Sequence, residues 1–189
     1  NLMFPGIGVG GYCLTKDPLL ASWARQNLIG GKDRLAQSET AVSINDQMPR
    51  YAFEFLERRY AKPFNGTKAL LLGVSYRGDV GDTRFSPVEN FCRCLLNAGV
   101  SVSAHDPYVR EWLELNIRPR QSLSEVLHEE PDIVIISTGH RIYRNEETVA
   151  ALLAGKPMLV YDTIGFLPAE HIARLRKKHQ VIVLGRGDL

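Results

Sequence analysis

An α/β fold, in which a doubly wound parallel sheet follows a helical segment, is what this sequence predicts, and three observations carry the prediction. Short apolar runs recur at 69–74, 100–104, 133–137, 158–161 and 181–184. Amphipathic stretches of helical period fill the gaps between them, the alternation that builds parallel strands joined by crossover helices. A turn-rich break, Lys62-Pro63-Phe64-Asn65-Gly66-Thr67, separates this part from an N-terminal portion with helical patterning. The chain thus divides into residues 1–61, a glycine-rich loop with a long central helix, and residues 66–189, a Rossmann-like sheet domain.

The N-terminal portion opens on Pro5-Gly6-Ile7-Gly8-Val9-Gly10-Gly11-Tyr12-Cys13, where four glycines in six positions permit positive φ and close approach of backbone to a ligand. Asp17-Pro18 reads as a helix start, with Asp as N-cap and Pro at the first helical position. That helix is expected to bury Leu20, Trp23, Ala24 and Leu28. From Glu39 to Tyr60 the residues Val42, Ile44, Met48, Ala52, Phe55 and Leu56 again follow helical spacing, and Pro49 predicts a kink or a fresh helix capped by Asn45 or Asp46. Beyond the break, strand 69–74 leads into the loop Ser75–Arg84. Ser86-Pro87-Val88-Glu89 then combines an N-cap, a first-turn proline and a capping-box glutamate. The helix that follows sets Val88, Phe91, Cys92, Leu95 and Leu96 on one face and stops at Gly99. Helices at 122–130, 146–153 and 168–179 fit between the remaining strands. Sheets of this kind bind ligands beyond the carboxyl ends of their strands, which is where the Ser75–Arg84 loop emerges.

At 189 residues, with 44% apolar and 23% charged side chains, the chain can hold one good core and an appendage. Its net charge of +2 gives no reason to expect nucleic acid, and the basic run Arg174 to His179 reads as the solvated face of a late helix. No apolar run approaches the length of a membrane span and no signal peptide is visible, so no membrane partner is expected. Three cysteines cannot all pair within one chain, which fits a reducing, cytoplasmic setting; Cys92 reads as core and Cys94 as incidental. The histidines at 105, 128, 140, 171 and 179 lack metal-ligand spacing, so no metal is expected.

Cys13 beside Lys16, close to the expected helix start, is a place where a thiolate is favoured. The plainer alternative is a small buried apolar cysteine, with Asp17 serving only as a cap. A cysteine hydrolase pairing Cys13 with His105 or His140 is a further class.

Gly8-Val9-Gly10-Gly11-Tyr12-Cys13-Leu14-Thr15-Lys16-Asp17 resembles the cysteine motif of the UDP-glucose/GDP-mannose dehydrogenase family. Gly73-Val74-Ser75-Tyr76-Arg77, followed by Asp82-Thr83-Arg84-Phe85-Ser86-Pro87, resembles its nucleotide-binding segment. Between and after them, Ile44 to Pro49 is similar to the start of the family's central helix, and His105-Asp106-Pro107-Tyr108 to the Asp-Pro that ends its next strand. The resemblance covers essentially the whole chain. It implies the C-terminal part of an NAD-dependent nucleotide-sugar 6-dehydrogenase of polysaccharide biosynthesis, inactive alone, because family members begin with an NAD-binding domain.

By the same resemblance Cys13 traps the sugar aldehyde covalently, and Asp17 orients or deprotonates water. Gly6, Ile7, Gly8, Val9 and Gly10 lie along the nucleotide sugar, a UDP-sugar in most members. Tyr76 and Arg77 hold its diphosphate, Lys16 and Arg84 contact NAD, and the central helix forms a homodimer. For Arg84 the alternative is a salt bridge with Asp82 or Glu89. The whole chain has an alternative too, a UDP-sugar-binding or dimerisation module without catalysis. Two positions depart from the family pattern. Ile164 stands where many members direct an arginine at the base, and Tyr12 stands where many have Ser or His.

Overall fold

In the computed structural model, which describes residues 6–186, the sheet is where the apolar runs place it. Strands β1 (Lys68–Leu72), β2 (Ser101–His105), β3 (Ile133–Ile136), β4 (Leu159–Asp162) and β5 (Gln180–Val183) are all parallel and lie in the order β2-β1-β3-β4-β5. Leu72, the last residue of β1, is in register with His105 and Ile136, so the carboxyl ends of the three strands finish level. The chain leaves β1 toward β2 on one side and later returns to β3 on the other, which opens a crevice between the ends of β1 and β3.

Both faces of the sheet are covered, which is why its strands are continuously apolar. Leu71, Ile133, Ile135, Leu159 and Tyr161 face α2 (Ala36–Glu57) and α3 (Pro87–Asn97) through Ala52, Leu56, Phe91 and Leu95. Leu70, Leu72, Val134, Ile136 and Val160 face the other way, toward α4 (Leu123–Leu127), α5 (Glu146–Ala154), α6 (Ala169–Leu175) and a 3₁₀ turn at Arg141–Arg144. Each fully buried Leu or Ile contributes about 1.5–3 kcal/mol by leaving water. The Tyr161 hydroxyl donates to the Ala52 carbonyl at 3.0 Å, fastening the central helix to the sheet.

Ser86 caps α3 and Gly99, at φ +83, ends it, as the sequence predicts. The capping box does not close, because the Glu89 carboxylate is taken by Arg93 one turn on. Leu96 is exposed, while Val88, Phe91, Cys92 and Leu95 are buried. Helices α4 and α6 are shorter than their sequence patterns, and His179 folds back into the core near Met158.

Two corrections concern the N-terminal portion. Helix α1 (Tyr12–Asn27) starts at Gly11, whose φ of +85 turns the chain, so Asp17 lies inside the helix and caps nothing. Pro18 is carried within α1 at the loss of one backbone bond. The stripe of Leu20, Trp23 and Leu28 is not buried; Trp23 is 52% and Leu28 72% exposed, and Ala24 is half-buried. α1 packs on α2 through polar groups instead. The Ser22 hydroxyl donates to Glu39 and accepts the Leu35 N–H at 3.0 Å, and Arg34 pairs with the same carboxylate.

The second correction is at Pro49, where α2 runs through without a restart. Pro49 has no N–H to offer the Asn45 carbonyl, one turn before it. That carbonyl faces Gly8, whose added Cβ would sit 3.5 Å away. The Asn45 side chain caps no helix. Its Oδ1 accepts the Val9 N–H at 2.7 Å and its Nδ2 donates to the Val9 carbonyl at 2.8 Å, so one side chain imitates a strand partner for the glycine loop. Asn45→Ala is therefore expected to lower stability by about 1–2 kcal/mol in urea unfolding and to speed hydrogen exchange at the Val9 amide more than at amides of β1.

Candidate functional site

The glycine loop lies across the carboxyl edge of the sheet and meets helix α2 and the loops after β1 and β4 there. Ile7 is buried in the core beneath it, so this side chain anchors the loop and only its backbone can face a ligand. A Cβ on Gly6 would sit 2.7 Å from Ile164, in the loop after β4. A Cβ on Gly10 would lie 2.6 Å from the Phe85 carbonyl and 2.7 Å from Tyr76, so nothing larger than glycine fits. The Tyr76 ring also covers Gly11. The cysteine motif and the nucleotide-binding motif, far apart in sequence, thus form one surface.

Phe85 holds φ +54, a strained conformation for a bulky residue, and this turns its carbonyl onto the glycine loop. Its ring meets Tyr12 edge-on at 5.2 Å between centroids. A cleft of about 250 Å³ opens beside them, lined by Val9, Thr15, Asn45, Asp46, Phe85 and Glu89 among others.

Cys13 is exposed in the first turn of α1, where backbone N–H groups lack helical partners. Asp17 is four residues on in the same helix and exposed, so it shares a face with Cys13. Lys16 pairs with Asp17 at 3.3 Å and lies 4.9 Å over the Tyr12 ring. The other two thiols are less accessible, Cys92 buried and Cys94 half-buried. Burial pushes Cys92 up to about 12, and burial likewise raises Cys94.

The two arginines of the β1–α3 loop differ in what they do. Arg84 grips Asp82 in a forked pair, with Nε to Oδ1 at 3.0 Å and Nη2 to Oδ2 at 2.7 Å, the salt bridge weighed for it as the alternative. Hydrogen bonds from Arg84 hold the Asp82 carboxyl below its usual range. Arg77 is exposed and makes no ion pair among the described residues. Of the loop's N–H groups, that of Val9 is already spent on Asn45 and cannot serve a ligand.

Behind this surface lies a buried polar network that the sequence did not disclose. Asp106, just past β2, is fully buried; its Oδ2 accepts the Val74 N–H at 2.9 Å and His140 Nε2 at 3.0 Å. Its Oδ1 accepts the N–H groups of Tyr108 and Val109 at 2.9 and 3.1 Å. Burial pushes the Asp106 carboxyl up, but the bonds from His140, Val74 and Tyr108 outweigh burial and hold it below the usual range. His105 is also buried, bonded to Tyr143 at 2.9 Å. With both histidines enclosed and partnered, neither can serve Cys13 as a base, which removes the hydrolase class. Asp106 was legible only as an Asp-Pro strand end, His140 only as a possible base for Cys13, and Ser75 only as a member of the motif at 73–77, so nothing in the sequence joined the three.

No group of three or more His, Cys, Asp or Glu side chains among the described residues could hold a metal ion, and no helix there is long and apolar enough to cross a membrane. Pro5, at the head of the glycine loop, lies outside the described residues.

Residues 70–169 match the UDP-binding domain of the UDP-glucose/GDP-mannose dehydrogenase family. The chain is 33% identical, over 99% of its length and 41% of the relative's, to UDP-N-acetyl-D-mannosamine dehydrogenase of Methanocaldococcus jannaschii. It is 35% identical to the Pyrococcus horikoshii protein of the same name, over 86% of this chain and 38% of that one. Among solved structures, NDP-N-acetyl-D-galactosaminuronic acid dehydrogenase from Methanosarcina mazei superposes with a TM-score of 0.81 at 26% identity, covering 98% of this chain and 40% of that one. The chain thus spans about two fifths of the length of the relatives it matches.

A carboxyl held low in the folded state stabilises the fold fully above the usual carboxylate pKa and loses that contribution as pH falls through its folded value. Wild-type stability is therefore expected to fall below about pH 4, followed as the urea midpoint against pH. Asp106→Asn should be less stable at neutral pH and should lose less on acidification; a parallel pair of curves would contradict the role given to Asp106.

Proposed function

Because this chain belongs to the UDP-glucose/GDP-mannose dehydrogenase family, we propose that it binds a UDP-sugar across the β1/β3 crevice and supplies Cys13 and Asp17 to an NAD-dependent oxidation of the sugar C6 alcohol. The observation that carries this reading is Arg77. It is an exposed cation on the loop after β1 with no ion pair among the described residues, and its neighbour Tyr76 packs on Gly10 and Gly11 of the glycine loop. A guanidinium there suits a diphosphate as a forked donor, with the Tyr76 ring beside it. The names of the relatives favour an N-acetylated UDP-hexosamine over UDP-glucose.

Turning a primary alcohol into a carboxylate removes four electrons in two steps. NAD, when bound, takes up the hydride in each. Lys16 and Arg84 are the residues of this chain that would face it. The Arg84–Asp82 pair is 69% exposed on the arginine side, and such surface pairs are weak enough to exchange a carboxylate for a phosphate. The Cys13 thiolate adds to the carbonyl carbon of the aldehyde, forming a C–S bond and a thiohemiacetal. Oxidation of that adduct leaves a thioester on Sγ. Water attacks the thioester carbon, the C–S bond breaks, and the thiolate is regenerated as the carboxylate leaves. Asp17, one helical turn from Cys13, accepts the proton of that water. Exposure of Cys13 in the first turn of α1 supports this role.

The whole enzyme would be a homodimer through α2, whose outward side carries Ile44 and Tyr51, each about half exposed. Residues 1–189 by themselves would bind the nucleotide sugar without turnover, and a reducing cytoplasm would keep their three thiols reduced.

Calorimetric titration with UDP tests the binding step. Saturable heat is expected, with affinity falling about tenfold or more in Arg77→Ala, since a charge-assisted bond contributes about 1.5–3 kcal/mol. No heat and no thermal stabilisation by UDP would overturn the proposal.

A further inference from the structure

Beneath the Tyr76–Arg77 turn, one imidazole reaches both of its ends, beside the bonds that Thr138 Oγ1 donates to the Ser75 carbonyl at 2.7 Å and Tyr76 N–H to the Asp82 carbonyl at 3.0 Å. His140, in the loop after β3, is fully buried. Its Nδ1 receives the backbone N–H of Asp79 at 2.9 Å, so Nδ1 carries no proton and the ring is the neutral Nε2–H form. That Nε2–H points at Asp106 Oδ2, 3.0 Å away, and at the Ser75 hydroxyl, 3.1 Å away. Asp106 in turn holds the Val74 N–H, and the Ser75 hydroxyl donates to the Arg77 carbonyl at 3.3 Å. One ring therefore pins the turn at both ends, Val74–Ser75 on one side and Asp79 on the other. Tyr76, Arg77 and Gly78 lie between these fixed points.

The pinning is selective for one conformation. Asp79 sits at φ +59, in the left-handed region, where an unsupported aspartate is only one of several options for the chain. Its N–H needs the Nδ1 acceptor, while its carboxylate is held by Arg141 through the backbone N–H at 3.1 Å and the guanidinium at 2.6 Å. Gly78 is pressed on the Gly139 carbonyl, which an added Cβ would approach to 2.2 Å.

We propose that His140 is the positioning residue of the diphosphate site, fixing through its Nδ1 lone pair the turn that presents Arg77. This rests on the UDP-binding reading above. His140 touches no ligand itself; it acts through Asp79 and Ser75.

Two near-isosteric variants separate the two ring nitrogens. His140→Asn keeps an acceptor near Nδ1 and loses the group facing Asp106, whereas His140→Gln keeps a donor near Nε2 and loses the acceptor for Asp79. Hydrogen exchange at the Asp79 amide and UDP affinity are measured on the 189-residue chain below the melting point of each variant. Asn is expected to keep Asp79 protection and to hold UDP affinity within about threefold. Gln and Ala are expected to speed Asp79 exchange and to weaken UDP by about tenfold, the effect of one lost hydrogen bond. A purely structural histidine would instead make UDP affinity follow melting temperature across the variants. Equal Asp79 exchange in Asn, Gln and wild type overturns the proposal whatever UDP does. Absence of UDP binding by wild type with the Asp79 pattern intact sinks the UDP-binding reading and leaves the turn assignment standing.

Discussion

Five parallel strands that finish level leave a row of backbone N–H groups at their carboxyl edge which no further strand can pair, and two buried aspartates answer that constraint. Asp106 follows β2 and gathers Val74, Tyr108 and Val109; Asp162 ends β4 and gathers Ile164 and Leu167 at 3.2 and 2.8 Å. Both are completely buried, and both convert orphan donors into rigid turns. Remove either carboxylate and the loops that floor the site lose their shape before any ligand is considered.

On that floor the glycine loop can settle without freedom to wander. Ile7 drives it into the core, Asn45 clamps the backbone of Val9, and the glycines at 6 and 10 accept Ile164, Tyr76 and Phe85 at distances closed to a side chain. The glycines are therefore mostly a packing device. What they leave open is the front of α1, where Cys13, Lys16 and Asp17 stand exposed beside Tyr12 and Phe85. The strain at Phe85 and the proline inside α2 serve the same docking, since Phe85 turns its carbonyl toward this loop and Pro49 leaves the Asn45 carbonyl, which faces Gly8, without its helical N–H.

Much of this was legible in the sequence because the sheet is built from local signals. Continuous apolar runs such as Leu70-Leu71-Leu72 and Ile133 to Ile136 have only one comfortable place, a strand covered on both faces. Ser86-Pro87 marks a helix start for reasons confined to a few residues. The differences arose where something outside the few residues of a local pattern decided the outcome. Asp17-Pro18 carries the local pattern of a cap, yet Gly11 had already turned the chain into helix. Leu20, Trp23 and Leu28 have the spacing of a core stripe, but α1 meets α2 through Ser22 and Glu39, with Arg34 on the same carboxylate, and the stripe stays exposed. The sequence offered His140 only as a possible base for Cys13, because its role under the turn comes from Asp79 and Asp106, brought to it by the loops after two other strands. Motif resemblance supplied the candidate site residues, and contacts through Gly10 and Gly11 are what join the two motifs in space.

In the proposed function, Cys13 and the Tyr76–Arg77 turn serve one ligand site. The most direct measurement is the rate at which iodoacetamide alkylates Cys13, followed by mass spectrometry with and without saturating UDP-N-acetylhexosamine, with half-buried Cys94 as the internal reference. Selective slowing at Cys13 is the expected result, because a sugar anchored by its diphosphate at Arg77 would lie over the glycine loop. A Cys13 rate unchanged by ligand that is demonstrably bound would contradict the account.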